Sequence, residues 1–263
     1  MDYIAQNKKA WEEAFHYRHP NWGEENYRHL QNKQLPFFCP DMISELKRIN
    51  FQGKKVAQFC CNNGRELLSL LQLGAQSGIG FDIAENIINQ AIDTARKAGI
   101  DNCEFVTCNI LEIDDQYHNS FDFVLFTIGA ITWFQDLKPL FKKVSDCLKP
   151  NGIMLIHDFH PFMNMLPMPG EPCFETDHLD RLTYSYFRSE PWIENDGMGY
   201  MSVQYKSKTF TSFSHTMSSI INALCDSKLK VSKLNEYDYD VGLSDVYDNS
   251  GFPLSYILIA EKI

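Results

Sequence analysis

From residue 53 the chain repeats one rhythm: a short apolar run, a polar turn, then an amphipathic stretch of helical period. Lys55–Cys60 reads as a strand, and Arg65–Leu73 as a helix closed by Gly74. Gly78–Phe81 is a strand, followed by a helix over Ala84–Ala98 that Gly99 closes. Cys103–Cys108 and Phe121–Phe126 are strands, Leu137–Leu148 is a helix, and Ile153–His157 is a strand again. Strands that alternate with helices of about ten to fifteen residues must be parallel, because a crossover helix returns each strand to the same edge. The expected fold is therefore an α/β doubly wound sheet.

The flanking segments break this rhythm. Residues 1–52 read as a helical cap: Trp11, Ala14 and Phe15 recur at helical spacing after Asn7, a candidate N-cap. Pro36-Phe37-Phe38-Cys39-Pro40 interrupts, and Met42, Leu46 and Ile49 mark a further short helix. After Pro161 the chain is rich in Pro, Met, Gly, acids and aromatics with no sustained period, which marks an insertion or lid. Ser202–Phe210 alternates like a strand, Met217–Asp226 is helical, Lys230–Glu236 alternates, and Leu254–Ala260 reads as a closing strand. The resulting division is 1–52 cap, 53–160 α/β core, 161–205 insertion, and 206–263 completion of the core.

Composition limits the partners. The chain has 263 residues, 44 % hydrophobic, with 24 Lys+Arg against 34 Asp+Glu for a net charge of −10. That length builds one large core, and an acidic chain with no basic run longer than two residues is poorly suited to nucleic acid or anionic membranes. Its longest apolar runs fall far short of the roughly 20 residues that span a bilayer. The opening Met1-Asp2-Tyr3-Ile4 has no secretion pattern, so a cytoplasmic location is expected. Eight cysteines contain no C-x-x-C pair, and several lie in apolar strands, so buried reduced thiols are expected.

In a doubly wound sheet, ligands bind beyond the carboxyl ends of the strands, near the point where strand order reverses. The residues at those ends are therefore the candidates. Cys60-Cys61-Asn62-Asn63-Gly64 makes a tight turn into a helix, whose free N–H groups suit an anionic group. Asp82 follows the second strand, and as an acceptor-only fork it suits a ribose diol. Asn109-Ile110 follows the third strand, and Asn109 offers both a donor and an acceptor to an adenine edge. Thr127-Ile128 follows the fourth, and His157-Asp158-Phe159-His160 the fifth. Together these outline a pocket for an adenosyl compound.

Five stretches in order resemble the class I S-adenosylmethionine-dependent methyltransferases, in their small-molecule, bacterial type 11/25-like branch. They are Val56–Gly64, Gly78–Ala84, Phe121–Leu125, Gly129–Leu137 and Leu148–Gly152. The resemblance implies a seven-stranded, mostly parallel sheet and S-adenosylmethionine as cofactor, with S-adenosylhomocysteine as product. It implies that Cys60, Cys61, Asn62 and Gly64 wrap the methionine part and that Asp82 holds the ribose. Ile83 and Ile110 would pack on the adenine, Asn109 would meet its edge, and Thr127 and Ile128 would lie beneath the sulfonium. Trp133 would wall the cavity where donor and acceptor meet.

The first motif departs from the family form, which has an acid two residues before the first of three glycines. Here Gln58 replaces the acid, Cys60 and Asn62 replace two glycines, and only Gly64 remains. Asn tolerates positive φ better than most residues, so Asn62 can hold the turn. Two readings stay open: an active enzyme methylating a small-molecule acceptor, and a catalytically weak or inactive cofactor-binding protein. His160 is the candidate general base; His157, Tyr184 and Trp192 join Trp133 as candidate acceptor-binding residues, and His215 is a further base. Tyr186, Phe187 and Tyr200 belong to the same aromatic segment, which can line a pocket, cage a cation or simply anchor a lid. A metal at His157-Asp158-Phe159-His160 is disfavoured because alternation sends residues 157 and 158 to opposite faces. A nicotinamide site is disfavoured because G-x-G-x-x-G is absent. No metal is expected, and a homodimer is left open.

Overall fold

A computed structural model describes residues 2–201 and 203–263. Its centre is a seven-stranded sheet, built from β1 (Lys55–Phe59), β2 (Ser77–Asp82), β3 (Cys103–Thr107), β4 (Phe121–Phe126) and β5 (Leu148–Phe159). The last two strands of this sheet come late in the chain. Numbering in chain order, β6 (Trp192–Glu194), β7 (Gly197–Met198), β8 (Val203–Gln204) and β9 (Phe210–Ser212) intervene before β10 (Leu229–Tyr237) and β11 (Ser255–Lys262). The sheet order is β10-β11-β5-β4-β1-β2-β3. Strands β1 to β5 pair in parallel, and β11 is antiparallel to both its neighbours. The chain winds outward from β1 to β3, then restarts at β4 on the other side of β1, which creates the crevice where doubly wound sheets bind ligands.

Both faces are covered, as near-continuous apolar strands require. Ala57, Phe59, Val124, Phe126, Met154 and Ile156 face α6 (Leu137–Cys147) and α7 (Met217–Asp226). The alternate residues Val56, Phe123, Leu125, Leu155 and Ile257 face α3 (Pro40–Leu46) and α4 (Arg65–Leu71). Helix α5 (Glu85–Ala98) covers the β2–β3 side and ends where Gly99 adopts φ +73°. Fully burying a Phe or Leu contributes about 1.5–3 kcal/mol, so these two layers account for most of the drive to fold.

The cap differs in detail from its sequence pattern. Helix α1 (Tyr3–Tyr17) is capped by Asp2, whose carboxylate accepts from the N–H of Ile4 and Ala5. Asn7 is instead buried inside the helix. Its Nδ2 donates to Thr211 O and its Oδ1 accepts from Thr211 N, both at 2.8 Å, pairing with the edge of β9 as a strand would. Helix α2 (Asn26–Asn32) precedes α3.

The insertion is more ordered than its composition suggests. β6 pairs with β9 and β7 with β8, two small antiparallel ladders. The expected strand over 202–210 is therefore two pieces, β8 and β9, separated by a loop, and Ser202 lies outside the described residues. The β6–β9 ladder joins the insertion to Phe210–Ser212, in the segment expected to complete the core. All eight cysteines are free thiols. Among the described residues no helix is long and apolar enough to cross a membrane.

Candidate functional site

The turn after β1 has an unusual backbone. Cys60, Asn62 and Gly64 have φ of +55°, +49° and +73°, so every second residue is left-handed. These are the three positions where the resembled family carries glycine. Cys60 and Asn62 hold them at a cost of about 1–2 kcal/mol each relative to a right-handed conformation. Asn62 recovers part of this, because its backbone N–H donates to Asp82 Oδ2 at 2.8 Å and its Oδ1 accepts from Asn63 N at 2.7 Å. Gly64 is required twice over: besides its φ, a Cβ there would sit 2.4 Å from Phe105 Cε1.

Asp82 ends β2 beside this turn. Its Oδ1 accepts from Ala84 N at 3.1 Å, and burial raises its pKa against these backbone donors. Burial and the Asp82 charge also push the Cys60 and Cys61 thiols up, so both stay protonated at neutral pH. Gln58, in the place of the family's acid, is fully buried and donates from Nε2 to Thr127 Oγ1 at 3.0 Å. Its Oε1 is a buried acceptor with no partner among the described residues.

These strand ends open into one cavity of about 460 Å³, the size of a small-molecule or cofactor site. It is lined by Cys60, Asn62, Asp82, Ile83, Asn109, Ile110, Thr127 and Ile128 from the sheet, and by Trp133, Tyr184 and Trp192 beyond it. Eleven expected residues are thus brought together. Cys61 and Gly64 lie behind the lining: Cys61 is buried, and Gly64 packs on Phe105 and Ala91. Asn109 is partly committed, since its Oδ1 accepts from Leu111 N at 3.1 Å.

The two histidines at the end of the fifth strand are placed apart from this group. Neither His157 nor His160 reaches the cavity. Alternation along β5 points His157 at the cap, where Nε2 lies 3.8 Å from Cys39 Sγ, and burial pushes its pKa down to about 4. His160 caps the turn Pro161–Met165: its Nδ1 accepts from Phe162 N at 3.0 Å and its Nε2 lies 2.9 Å from Glu236 Oε1 on β10. The pairing of β11 with β5 brings β10 and its Glu236 to this end of the sheet and engages the imidazole away from the site. Burial lowers the His160 pKa, with Glu236 opposing. His215 is engaged too, with Nε2 2.9 Å from Phe134 O. Asp158 faces the opposite way from His157: Oδ1 accepts from Gly129 N at 2.6 Å and Phe159 N at 2.9 Å, steadying the loop after β4.

The remaining walls come from segments that carry no motif. Trp11 of α1 stands edge-on to Trp133 with centroids 5.2 Å apart, and Trp22 lies beyond it. Tyr200 touches both Trp11 and Trp22, and its hydroxyl accepts from Asn62 Nδ2 at 2.7 Å, joining the insertion to the first turn. On β6, Trp192 and Glu194 share one strand face and line the cavity, Trp192 half-buried and Glu194 exposed, while Ile193 points to the other face. Trp192 Nε1 donates to Ser214 Oγ at 2.8 Å. Glu171 adds a carboxylate, accepting from the Tyr184 hydroxyl at 2.6 Å. Of the other aromatics in this segment, Phe187 is 78 % exposed and the Tyr186 hydroxyl accepts from Met217 N, so neither joins the site.

The residues fit an adenosyl cofactor by their chemistry. One acceptor carboxylate, Asp82, stands between the turn and two isoleucines, Ile83 and Ile110, which give apolar surface for a flat ring. Comparisons with known proteins point the same way. A family model described as a methyltransferase domain matches residues 50–188, over half of the chain. An uncharacterized protein of Haemophilus influenzae is 24 % identical over 201 residues, spanning 75 % of this chain and 74 % of that protein. Among solved structures, a Listeria monocytogenes protein provisionally described as an S-adenosylmethionine-dependent methyltransferase superposes with a TM-score of 0.65 at 18 % identity, over 84 % of this chain and 97 % of that one. The geranyl diphosphate C-methyltransferase of Streptomyces coelicolor, solved with S-adenosyl-L-homocysteine, gives 0.58 at 13 % identity, over 100 % and 99 % of the two chains. At such identities the structural likeness concerns the fold.

Proposed function

The chain belongs to the methyltransferase-domain family, and from that premise we propose that it transfers a methyl group from S-adenosylmethionine to a small-molecule acceptor. The observation that supports this most is the single cavity in which Asp82, Ile83, Asn109, Ile110, Thr127 and Ile128 meet Trp133, Tyr184 and Trp192. When bound, the cofactor supplies a methyl group activated on a sulfonium. Asp82 accepts hydrogen bonds from the ribose hydroxyls, Ile83 and Ile110 flank the adenine, and Asn109 meets its edge. Thr127 and Ile128 floor the reacting centre, with Gly129 fixed behind them by Asp158. The insertion and α1 exclude water and align the acceptor. Alignment of this kind is the main contribution a protein makes to a displacement, up to about 7–11 kcal/mol in well-oriented systems.

The alternative, an inactive binder, draws on the loss of two glycines from the first turn. That argument weakens because Cys60 and Asn62 adopt the left-handed torsions the glycines would supply. The test is thermal unfolding with S-adenosylhomocysteine. At about 100 times its dissociation constant the ligand adds about 2.7 kcal/mol, or a midpoint rise of roughly 5–10 °C at 2–4 °C per kcal/mol. Asp82→Ala should reduce the affinity at least tenfold, since bonds to a charged acceptor are worth about 1.5–3 kcal/mol. A wild-type midpoint that does not move at millimolar ligand would refute the assignment, and normal binding by the variant would remove Asp82 from it.

A further inference from the structure

The far end of the cavity is built differently from its cofactor end. The acidic and basic side chains that line the cavity are one guanidinium, Arg65, against four carboxyl groups, Glu66, Asp82, Glu171 and Glu194. Arg65 is already spent, with Nε 2.7 Å from Glu66 Oε1. At the insertion end only Glu171 and Glu194 remain, and neither forms an ion pair among the described residues. Glu171 accepts from the Tyr184 hydroxyl and lies 3.5 Å from the Cys173 thiol, both neutral donors. Glu194 is solvent-exposed on β6 and has no side-chain partner among the described residues, and partial desolvation, with Asp196 and Glu171, raises its pKa.

Aromatic rings stand beside these carboxylates. Tyr184 and Trp192 meet at 90° with centroids 5.0 Å apart, forming a corner. Glu194 projects from β6 on the same face as Trp192. The Arg188 guanidinium stacks on one face of Trp192, 3.8 Å from its centroid, but it is tied to the carbonyls of Glu190 and Pro191 and does not line the cavity. Met163, Leu166 and Met168 give the rest of this end an apolar lining. Unpaired carboxylates beside aromatic faces attract an organic cation and repel an anion.

Resting on the methyl-transfer reading above, we propose that the acceptor is an amine with an apolar body, seated as its ammonium in the Tyr184–Trp192 corner between Glu171 and Glu194. The ammonium passes one proton to the Glu194 carboxylate, which exposes the nitrogen lone pair. That pair forms the new C–N bond as the C–S bond breaks and its electrons return to sulfur. Glu194 then releases its proton to solvent, and the methylated amine leaves. The carboxylates thus do in the insertion what His160 was expected to do at the sheet.

The test compares benzylamine, benzyl alcohol and benzoate, three molecules of one shape and different charge. Each is titrated into the S-adenosylhomocysteine-loaded protein at pH 7.5, following tryptophan fluorescence. Benzylamine should bind at least tenfold more tightly than benzyl alcohol, with benzoate weaker still. The double variant Glu171→Gln, Glu194→Gln should bring benzylamine to the level of the alcohol while keeping S-adenosylhomocysteine affinity. Equal binding of amine and alcohol, preference for benzoate, or no binding of any of the three would overturn the proposal. The same series without S-adenosylhomocysteine separates the two readings. A cofactor site that fails shows no S-adenosylhomocysteine response, yet the wild-type preference for the amine is still read directly.

Discussion

Gly64→Ala isolates the physical basis of the first turn. The substitution incurs two separate penalties. At φ +73° an L side chain pays about 1–2 kcal/mol for the left-handed conformation. The added methyl would also lie 2.4 Å and 2.6 Å from Phe105 Cε1 and Cζ, and 3.0 Å from Ala91 Cβ, distances at which the ring must move. Overpacking of this kind costs about 1–3 kcal/mol. The sum, about 2–5 kcal/mol, is a large share of the 5–15 kcal/mol that stabilises a typical protein. Urea unfolding, read at unchanged m-value, measures it. The double variant Gly64→Ala, Phe105→Leu separates the two penalties, since a flexible Leu relieves the clash but leaves the torsion. Phe105→Leu alone is destabilising, and in the double variant the two effects should combine to less than their sum by about 1–3 kcal/mol. Gly64→Ala within 0.5 kcal/mol of wild type, an ordinary surface effect, or strictly additive effects would refute the reasoning.

Two further predictions concern the end of the fifth strand and the first turn. Burial pushes Asp158 up to about 7 and His157 down to about 4. The folded protein therefore keeps a proton on Asp158 that the unfolded chain releases near pH 4, so this group's contribution declines as pH rises from 4 to 7, by about 4 kcal/mol at full shift. His157 acts oppositely, because the unfolded chain binds a proton below about 6.5 that the folded protein refuses, so its contribution declines as pH falls from 6.5 to 4. Asp158→Asn should gain stability relative to wild type toward pH 8, and His157→Asn toward pH 4; unfolding curves that stay parallel to wild type across pH 4–8 would contradict both. Asn62→Gly should leave stability within about 1 kcal/mol, because relief of the torsion offsets the lost bond to Tyr200. It should also speed hydrogen exchange across residues 197–201, and unchanged exchange there would mean that the bond does not hold the insertion.

The sheet was legible because its signals are local. Each strand is an apolar run bounded by polar residues, and Gly74 and Gly99 mark helix ends within a few residues of where they fall. The meeting of Cys60, Asn62, Asp82, Asn109 and Thr127 around one cavity followed, since residues just beyond parallel strands converge wherever strand order reverses. The histidines lie apart from the cavity for a reason that position alone does not reveal. His157 follows strand alternation to the cap, and His160 is engaged by Glu236 on a strand 76 residues later in the chain, a pairing created only when β11 closes the sheet. The insertion hid its residues similarly: Trp192 and Glu194 share a face only because β6 meets β9. Asn7 looked like a helix cap because its real partner, Thr211, is 204 residues away.

The first turn shows why a glycine pattern is better read as a set of torsions than as a set of residues. Cys60, Asn62 and Gly64 share one alternating left-handed path, although only Gly64 is the residue expected there. Steric need explains which glycine persists: a side chain at 64 has Phe105 in its way, whereas those at 60 and 62 face the cavity. The side chain at 62 then does something glycine could not. Its amide donates to the Tyr200 hydroxyl, and with the backbone N–H that any residue would offer to Asp82, one residue links the second strand end, the first turn and the insertion. The local strain of a non-glycine turn is thus offset by a contact that ties the insertion to the strand ends.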